Sequence, residues 1–186
     1  MQAEYTFTTF TPAEAERITR LNTVTQRDWR RRSFIPSGEG HARFDAFVIC
    51  EMWVMKMLSD RGVGPQLSKD VADWCAIGIV WHALGDAEAY EGDYEDALEW
   101  WSKDPQATWH DKANWLRKQI LRSRGLPRVI PGQYFIWWAD GSHVWHLYLD
   151  EAFSDVSGDE RYAGPVIVLD LKALARPFLD RAGRSL

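Results

Sequence analysis

The sequence predicts an α+β protein that is mainly helical, and three observations support this fold class. Helix-start signals at 11–14 and 23–26 are each followed by helical patterning. Two longer stretches within 45–84 carry apolar residues at the helical period. The stretch 133–150 instead places aromatic and β-branched residues on both sides of Asp140-Gly141, a pair typical of β-hairpin turns.

Composition limits the class of protein. With 46% apolar and 26% charged residues in 186, the chain has an ordinary globular composition. No apolar run approaches the ~20 residues that span a bilayer, and the N-terminus has no signal pattern, so we expect a cytoplasmic protein without a membrane partner. Cys50 and Cys75 lie in apolar helical context and are expected to be buried free thiols.

The net charge of −5 conceals an uneven distribution of charged residues. Residues 17–43 carry seven arginines and two acids, a net charge of +5. Residues 85–111 carry nine acids and one lysine, and residues 112–128 carry six cations and no acid. Because phosphate binding depends on the local field, the arginine-rich segment is a candidate for nucleic-acid contact although the whole chain is acidic.

Two short helices and a tight turn are predicted near the N-terminus. Thr11 is the expected N-cap of the first helix, and Glu14 completes a capping box with it. A second capping box is predicted at 23–26, with Thr23 as its N-cap, and that helix continues to about residue 32. Two short helices joined in this way are typical of a helix-turn-helix.

A small hairpin, or wing, is predicted next. Its extended arms are 34–36 and 41–44, and its tip is the glycine-rich stretch 37–40. A third helix is expected from the N-cap Asp45 to about Asp60, with Gly62 ending it. A fourth helix is expected from the N-cap Ser68 through Leu84.

The chain changes character near Gly85, which predicts units at 1–84 and 85–186. In the second unit we expect an acidic helix at 93–101 and a basic helix at about 111–124. The residues of the basic helix that are expected to point inward are Trp115, Leu116, Gln119 and Ile120. A two-residue type I′ turn at Asp140-Gly141 pairs Trp138 with His143. This hairpin is apolar on both faces and needs cover on both sides. A strand at 165–169 and a closing helix at 171–181, begun at Asp170, complete the chain.

The N-terminal order of helix, turn, helix, wing and helix pair resembles the MerR family of transcription regulators over about residues 5–76. The family's recognition helix, T-x-R-x-Y followed by G-L-L and proline, is matched by Thr25-Gln26-Arg27-Asp28-Trp29 and Ser33-Phe34-Ile35-Pro36. The family's wing is matched by Gly40-His41-Ala42-Arg43-Phe44. Trp29 replaces the usual tyrosine, and Ser33 replaces a glycine. Residues 85–186 do not resemble the family's dimerising helix and ligand-binding tail, so no effector is carried over.

The resemblance implies that 1–84 is a winged helix-turn-helix domain that binds double-stranded DNA. Thr23, Gln26, Arg27 and Arg30 are expected on one helical face, where glutamine can grip adenine and arginine can grip guanine. Val24 is expected in the core. The predicted DNA contacts are Thr23, Thr25, Gln26, Arg27, Trp29, Arg30, Arg31, His41 and Arg43. For Trp29, packing under the wing is an equal alternative, and for the run 30–32 the alternative is a solvated helix end.

No catalytic or metal-binding pattern accompanies this domain. The sequence has no GxSxG, P-loop, HExxH or Rossmann glycine motif, so we expect no enzyme and no cofactor. His143 and His146 are expected on opposite faces of their strand, which makes them poor ligands for one ion. The aromatic-rich residues at 85–186 are expected to fill a core or a dimer interface, with a cage for an apolar or cationic effector as the alternative.

The function expected from the sequence is a transcriptional regulator that binds specific duplex DNA as a homodimer. RNA polymerase or another protein is a further candidate partner of residues 85–186. Two alternatives stay open: an architectural or excisionase-like factor of a mobile element that bends DNA, and a protein-docking module that its DNA-binding half localises.

Overall fold

The computed structural model describes residues 6–36, 42–92, 94, 106–123, 125 and 130–186. The fold is α+β and mainly helical, as predicted, with one small antiparallel sheet. The helices are α1 (Pro12–Thr19), α2 (Thr23–Arg31), α3 (Ala46–Ser59), α4 (Pro65–Ala83), α5 (Trp109–Ser123), α6 (Leu149–Asp155) and α7 (Leu171–Ala182). The strands are β1 (Tyr134–Trp137), β2 (His143–His146) and β3 (Ile167–Asp170). None of the described helices is long and apolar enough to cross a membrane.

The start of α1 is the predicted one, whereas α2 starts differently. Thr11 and Glu14 form the expected capping box. In α2 the N-cap is Asn22, whose side chain accepts a hydrogen bond from the Thr25 amide, so the prediction of Thr23 as the cap is wrong. Thr23 is the first helical residue, and its amide donates to the Glu16 carboxylate at 3.1 Å. Asn22 takes the role because its backbone is extended and its short amide reaches the first turn.

The end of α2 is a Schellman motif centred on Ser33. The Ser33 amide donates to the Arg30 carbonyl oxygen at 3.0 Å, and the Phe34 amide donates to the Trp29 carbonyl oxygen at 2.8 Å. Ser33 has a φ of 56°, the left-handed conformation that glycine adopts without strain. The helix therefore ends as a glycine would end it, although a serine occupies the position.

The segment after α2 does not pair as predicted. Phe44 exchanges two backbone hydrogen bonds with Phe10, at 2.7 and 2.9 Å, and not with the arm at 34–36. The tip of the predicted wing at 37–41 lies outside the described residues. The pairing joins the strand-like residue before α3 to the residue before the N-cap of α1, because both flank a helix start and leave their backbone groups free.

Helices α3 and α4 form a long antiparallel pair that carries much of the core. Asp45 caps α3 as predicted, and Gly62 follows its end with a φ of 89°. The fourth helix begins at Pro65 after the cap Gly64, so the prediction of a start at Ser68 is wrong. Proline at the first helical position accounts for the earlier start, and Ser68 is buried with its hydroxyl on the Gly64 carbonyl oxygen. Cys50 and Cys75 are buried free thiols, as expected.

The predicted basic helix is confirmed as α5, but one of its four predicted inward residues is exposed. Leu116 and Ile120 are buried as predicted and Gln119 is half-buried, but Trp115 is exposed. Thr108 caps the helix through a reciprocal pair of hydrogen bonds with Asp111. The predicted acidic helix at 93–101 lies outside the described residues, apart from the helical Tyr94.

The hairpin forms at Asp140-Gly141 with a register one residue away from the prediction. Trp137 lies opposite His143, and Phe135 lies opposite Trp145. The connection has three residues: the Trp138 amide donates to the Ser142 carbonyl oxygen at 2.9 Å, and Gly141 alone is left-handed, with a φ of 89°. This is a turn with a glycine bulge, so one extra residue separates the strands. The Asp140 carboxylate holds the Ser142 amide and favours this loop over a type I′ turn.

Both faces of the central strand β1 are covered within the chain, whereas Val144 of β2 is exposed. The strand order of the sheet is β2-β1-β3, and β3 pairs with β1 over Trp137–Ile167 to Tyr134–Asp170. Phe135 joins the main core, while Ile136 and Trp138 form a second cluster with Ala152 of α6. The sequence did not predict α6. His143 and His146 contact opposite faces, as expected: His143 contacts Trp74, and His146 lies 3.8 Å from Asp155.

The main hydrophobic core extends across the predicted boundary at Gly85. Helix α7 begins at the cap Asp170 as predicted and packs on α4 and α1. Phe178 of α7 and Ile79 of α4 belong to one continuous buried cluster. The Arg17 guanidinium donates to the carbonyl oxygens of Arg181 and Ala182 at 2.7 and 3.1 Å, which closes the C-terminal end of α7 onto α1.

The left-handed Ser33 generates a prediction about stability. We expect Ser33→Gly to raise the free energy of unfolding by about 0.5–1 kcal/mol, because glycine removes the steric cost of a positive φ and loses part of the gain to greater freedom when unfolded. Ser33→Ala keeps the Cβ and serves as the control, with no stabilisation expected. Urea denaturation of the three proteins measures the effect. Equal destabilisation by glycine and alanine would show that the serine hydroxyl, not the backbone, sets the stability here.

Candidate nucleic-acid interface

The rotation of α2 against α1 is set by one buried amide. The Gln26 Nε2 donates to the carbonyl oxygens of Pro12 and Leu21, at 3.0 and 2.8 Å. The Gln26 side chain is fully buried, with 0% of its surface exposed. It therefore cannot reach a base edge, and the predicted DNA contact by Gln26 is wrong. Its amide is used to hold the two helices together.

Trp29 lies on the same inward face as Gln26. It is 5% exposed and belongs to the main core together with Ile35. Of the two predicted roles for Trp29, packing is the one found, and a contact of its ring with DNA is excluded in this conformation. Burial of a tryptophan contributes several kilocalories per mole to stability, so this residue fixes the inward face of α2.

The outward face of α2 is one residue away from the predicted face. The prediction placed 23, 26, 27 and 30 outward, whereas the exposed residues are Val24, Arg27 and Arg31, with the half-buried Asp28 between them. Successive residues of a helix differ by about 100°, so a shift by one residue turns the face by slightly more than a quarter of a circle. Val24 is 71% exposed, and the prediction that it packs in the core is wrong.

The remaining predicted residues of α2 lie at the edges of this face. Thr23, Thr25 and Arg30 are half-buried. The amides of Thr23 and Thr25 are occupied by Glu16 and Asn22 at the helix start. The Nε of Arg30 is buried and has no hydrogen-bond partner among the described residues. These residues border the outward face and do not form its centre.

Asp28 holds two arginines at the C-terminal end of α2. Its carboxylate lies 2.6 Å from the Arg31 guanidinium and 3.7 Å from that of Arg32. Arg32 also lies over the Phe34 ring, at 4.7 Å from its centroid. The side chain of Arg31 remains 80% exposed, so this ion pair is weak in water and its charge is available to a partner.

Arg43 adds a cation from the segment that pairs with Phe10. It is exposed, and it precedes Phe44, whose hydrogen bonds fix this segment beside the start of α1. The pKa of the nearby Glu14 carboxyl lies below its ordinary value, chiefly because the Thr11 amide and hydroxyl donate to it, with smaller contributions from the charges of Arg184 and Arg43. His41, predicted beside Arg43, lies outside the described residues.

The acids of this region are turned to structural use, whereas its arginines are exposed. Within residues 6–36 and 42–45 no acid is fully exposed. Glu14 and Asp45 cap helices, Glu16 accepts from the Thr23 amide, and Asp28 pairs with two arginines. The exposed arginines of the same ranges are Arg17, Arg20, Arg27, Arg31, Arg32 and Arg43. The described part of this region therefore carries more exposed positive than exposed negative charge.

The predicted contacts do not include Val24, Asp28 or Arg20, and they include Arg32 only as part of the run 30–32. The signal that identifies the true face is Trp29, the largest apolar residue of α2. If Trp29 points inward, helical spacing also places 26 inward and leaves 24, 27, 28 and 31 outward. The prediction assigned the smaller Val24 to the core, whereas Trp29 is the residue of α2 that packs there.

The described residues contain no group of three or more histidine, cysteine or acidic side chains that could hold a metal ion. Burial raises the pKa of the Cys50 and Cys75 thiols well above their usual range, so neither is a reactive thiolate. No family model, no curated protein and no solved structure matches this chain.

Substitutions at the buried Gln26 and at the exposed Arg27 should affect stability differently. We expect Gln26→Ala to lower the free energy of unfolding by about 1–3 kcal/mol, since the carbonyl oxygens of Pro12 and Leu21, the second of them buried, lose this donor. Gln26→Met keeps the volume but removes the same hydrogen bonds, and should also destabilise. Arg27→Ala should stay within about 0.5 kcal/mol of the parent, as exposed substitutions do. Chemical denaturation followed by circular dichroism measures all three, and parental stability in both Gln26 variants would refute the anchoring role.

Proposed function

We propose that this protein is a transcriptional regulator that binds specific double-stranded DNA through the outward face of α2. The observation that carries the proposal is the set of exposed arginines on α2 and its neighbouring segments, in a region whose acids are engaged in caps and ion pairs. The order of two short helices, a turn and a following helix pair supports it, because it is the order of helix-turn-helix DNA-binding domains.

The side chains of the outward face suit the major groove. Arginine grips guanine through two parallel hydrogen bonds, which makes Arg27 the principal candidate for reading a base. Val24 offers an exposed apolar surface of the kind that contacts a thymine methyl group, and Asp28 can accept from a cytosine amino group. Arg31, Arg32 and Arg43 flank this centre and would contact phosphates. When Arg31 binds a phosphate, it exchanges the weak pairing with Asp28 for a stronger charge-assisted one.

A single copy of α2 is too short to select one site in a genome. Its nine residues extend about 13 Å and reach only a few base pairs. DNA-binding proteins of this kind read two half-sites as two-fold dimers. We therefore propose a homodimer on a near-palindromic site. The C-terminal half of each chain would contact the second protomer or another protein.

The first test is to recover bound duplexes from a random-sequence pool and to measure affinity on the recovered site. We expect Arg27→Ala to weaken binding there by about 1–3 kcal/mol and to relax one base preference. Arg43→Ala should weaken binding to the recovered site and to unrelated duplexes alike. Affinity should fall with salt, with a logarithmic slope near −0.9 for each phosphate contact.

Lys69→Ala is the matched control, because Lys69 is an exposed cation on α4 outside the proposed interface. It should bind as the parent does. A pool that yields no recurring motif, or Arg27→Ala binding as the parent does, would count against specific recognition by α2.

The second test concerns the dimer. Sedimentation should show two protomers on the full recovered site and one on an isolated half-site, with weaker binding to the half-site. The measurement uses the full chain, since the core shared by α4 and α7 makes a truncated N-terminal half unsuitable. A single protomer on the full site at micromolar concentration contradicts the dimer while leaving DNA binding by α2 intact.

A further inference from the structure

A cleft of about 520 Å³ opens on the side of the molecule formed by the end of α4, α5 and the first turns of α7. Its volume lies within the range of small-molecule sites, about 300–1,000 Å³. Apolar side chains form much of its wall, and they are Trp81, Ile130, Pro131, Leu147, Ala175 and Leu179. Polar groups converge on it from the same elements, among them Arg117 of α5 and Lys172 of α7.

Arg117 is a buried cation, and the groups that its guanidinium contacts are all neutral. It is 8% exposed. Its Nη1 donates to the Trp81 carbonyl oxygen at 3.3 Å, its Nη2 donates to the Asn114 Oδ1, and its guanidinium lies 4.4 Å from the Trp81 ring centroid. Its Nε is buried without a hydrogen-bond partner among the described residues. Burial lowers the pKa of Arg117, the direction expected for a cation removed from water.

The acid in the wall of this cleft does not serve Arg117. Asp86 is bound to Arg176 at 3.1 Å, and Arg176 also pairs with Glu88 and Asp180. Lys172, exposed at the rim, has no ion pair with any described residue. Three cations thus line the cleft. Arg176 has carboxylate partners, whereas the part of the chain that the structure describes gives none to the buried Arg117 or to Lys172.

A buried charge without a counterion is costly, and arginine cannot escape the cost by losing its proton at neutral pH. An anion in the cleft would offset it. The apolar wall would receive a hydrocarbon body, and the Trp81 ring would cover one side of it. One buried cation and one at the rim suit a single carboxylate better than a phosphate dianion, which usually collects several donors.

We propose that this cleft binds a small organic carboxylate, with the carboxylate toward Arg117 and Lys172 and an apolar body against Trp81 and Leu147. This site is separate from α2, and its existence does not depend on DNA binding. The ligand class follows from the charge and the wall: a monoanion with a compact apolar or aromatic body. The neutral side chains of Gln133 and Asn114 also line the cleft, although the Gln133 Nε2 donates to Asp170 and the Asn114 Oδ1 accepts from Arg117.

The test uses benzoate as the probe, benzyl alcohol as its uncharged counterpart and inorganic phosphate as an anion without an apolar body. We expect benzoate to raise the Tm of the full chain with increasing concentration and to give a saturable calorimetric isotherm. Benzyl alcohol and phosphate should do so at least tenfold more weakly. Lys172→Glu, a change at an exposed rim position, should weaken benzoate binding about tenfold. Lys69→Glu makes the same charge change on α4 away from the cleft and should leave it unaltered.

Arg117→Met removes the buried charge and should abolish benzoate binding while the protein without ligand becomes as stable or more stable. If this variant does not fold, Lys172→Glu against Lys69→Glu decides the matter. Absence of benzoate binding up to about 10 mM overturns the proposal. So does phosphate or benzyl alcohol binding as tightly as benzoate, or equal weakening by the two lysine variants. None of these measurements contains DNA, so failure here is distinct from failure of the proposed regulator.

Discussion

The hydrogen bonds from the Gln26 amide to the carbonyl oxygens of Pro12 and Leu21 are the constraint on which the candidate interface depends. A buried donor must be satisfied, so a rotation of α2 that withdrew Gln26 would leave polar groups buried without partners. Trp29, one turn further, adds an apolar reason for the same orientation. Both constraints point one face inward, and the outward position of Arg27 and Arg31 is their consequence.

A chain with a net charge of −5 can present a positive surface because of what its acids do. Around α1 and α2 each carboxylate is drawn to a helix start or to a neighbouring arginine, where the helix dipole and the unpaired amides favour it. A carboxylate used as a cap is partly covered and aimed inward. Most of the arginine side chains stay exposed even where they are paired, as Arg31 is with Asp28, so sequence neighbours of opposite charge do not fully cancel at the surface.

Local signals in the sequence predicted which segments are helical better than they predicted how the segments face one another. Thr11, Asp45 and Asp170 are N-caps whose short side chains accept hydrogen bonds from backbone amides within the next three residues. These local helix starts were predicted correctly. The predicted outward face of α2 and the predicted register of the hairpin each differ from the structure by one residue. Both depend on a choice made by tertiary contact: Trp29 rather than Val24 in the core, and a bulged loop at Gly141 rather than a two-residue turn. Helix α6 has no side-chain cap at its start, so no capping signal in the sequence indicated it.

Helix α7 connects the two regions that carry the proposals. Its first turns line the cleft through Lys172 and Ala175, and its last residues receive Arg17 of α1 on their carbonyl oxygens. Arg181 returns a hydrogen bond to the Ile18 carbonyl oxygen at 3.2 Å, so α1 and α7 are joined in both directions. A ligand shifts an equilibrium only by its difference in affinity between two states. A carboxylate that prefers one position of α7 would therefore change the support on which α1, and through Gln26 α2, is held, whereas one that binds both positions equally would stabilise the protein and leave its affinity for DNA unchanged.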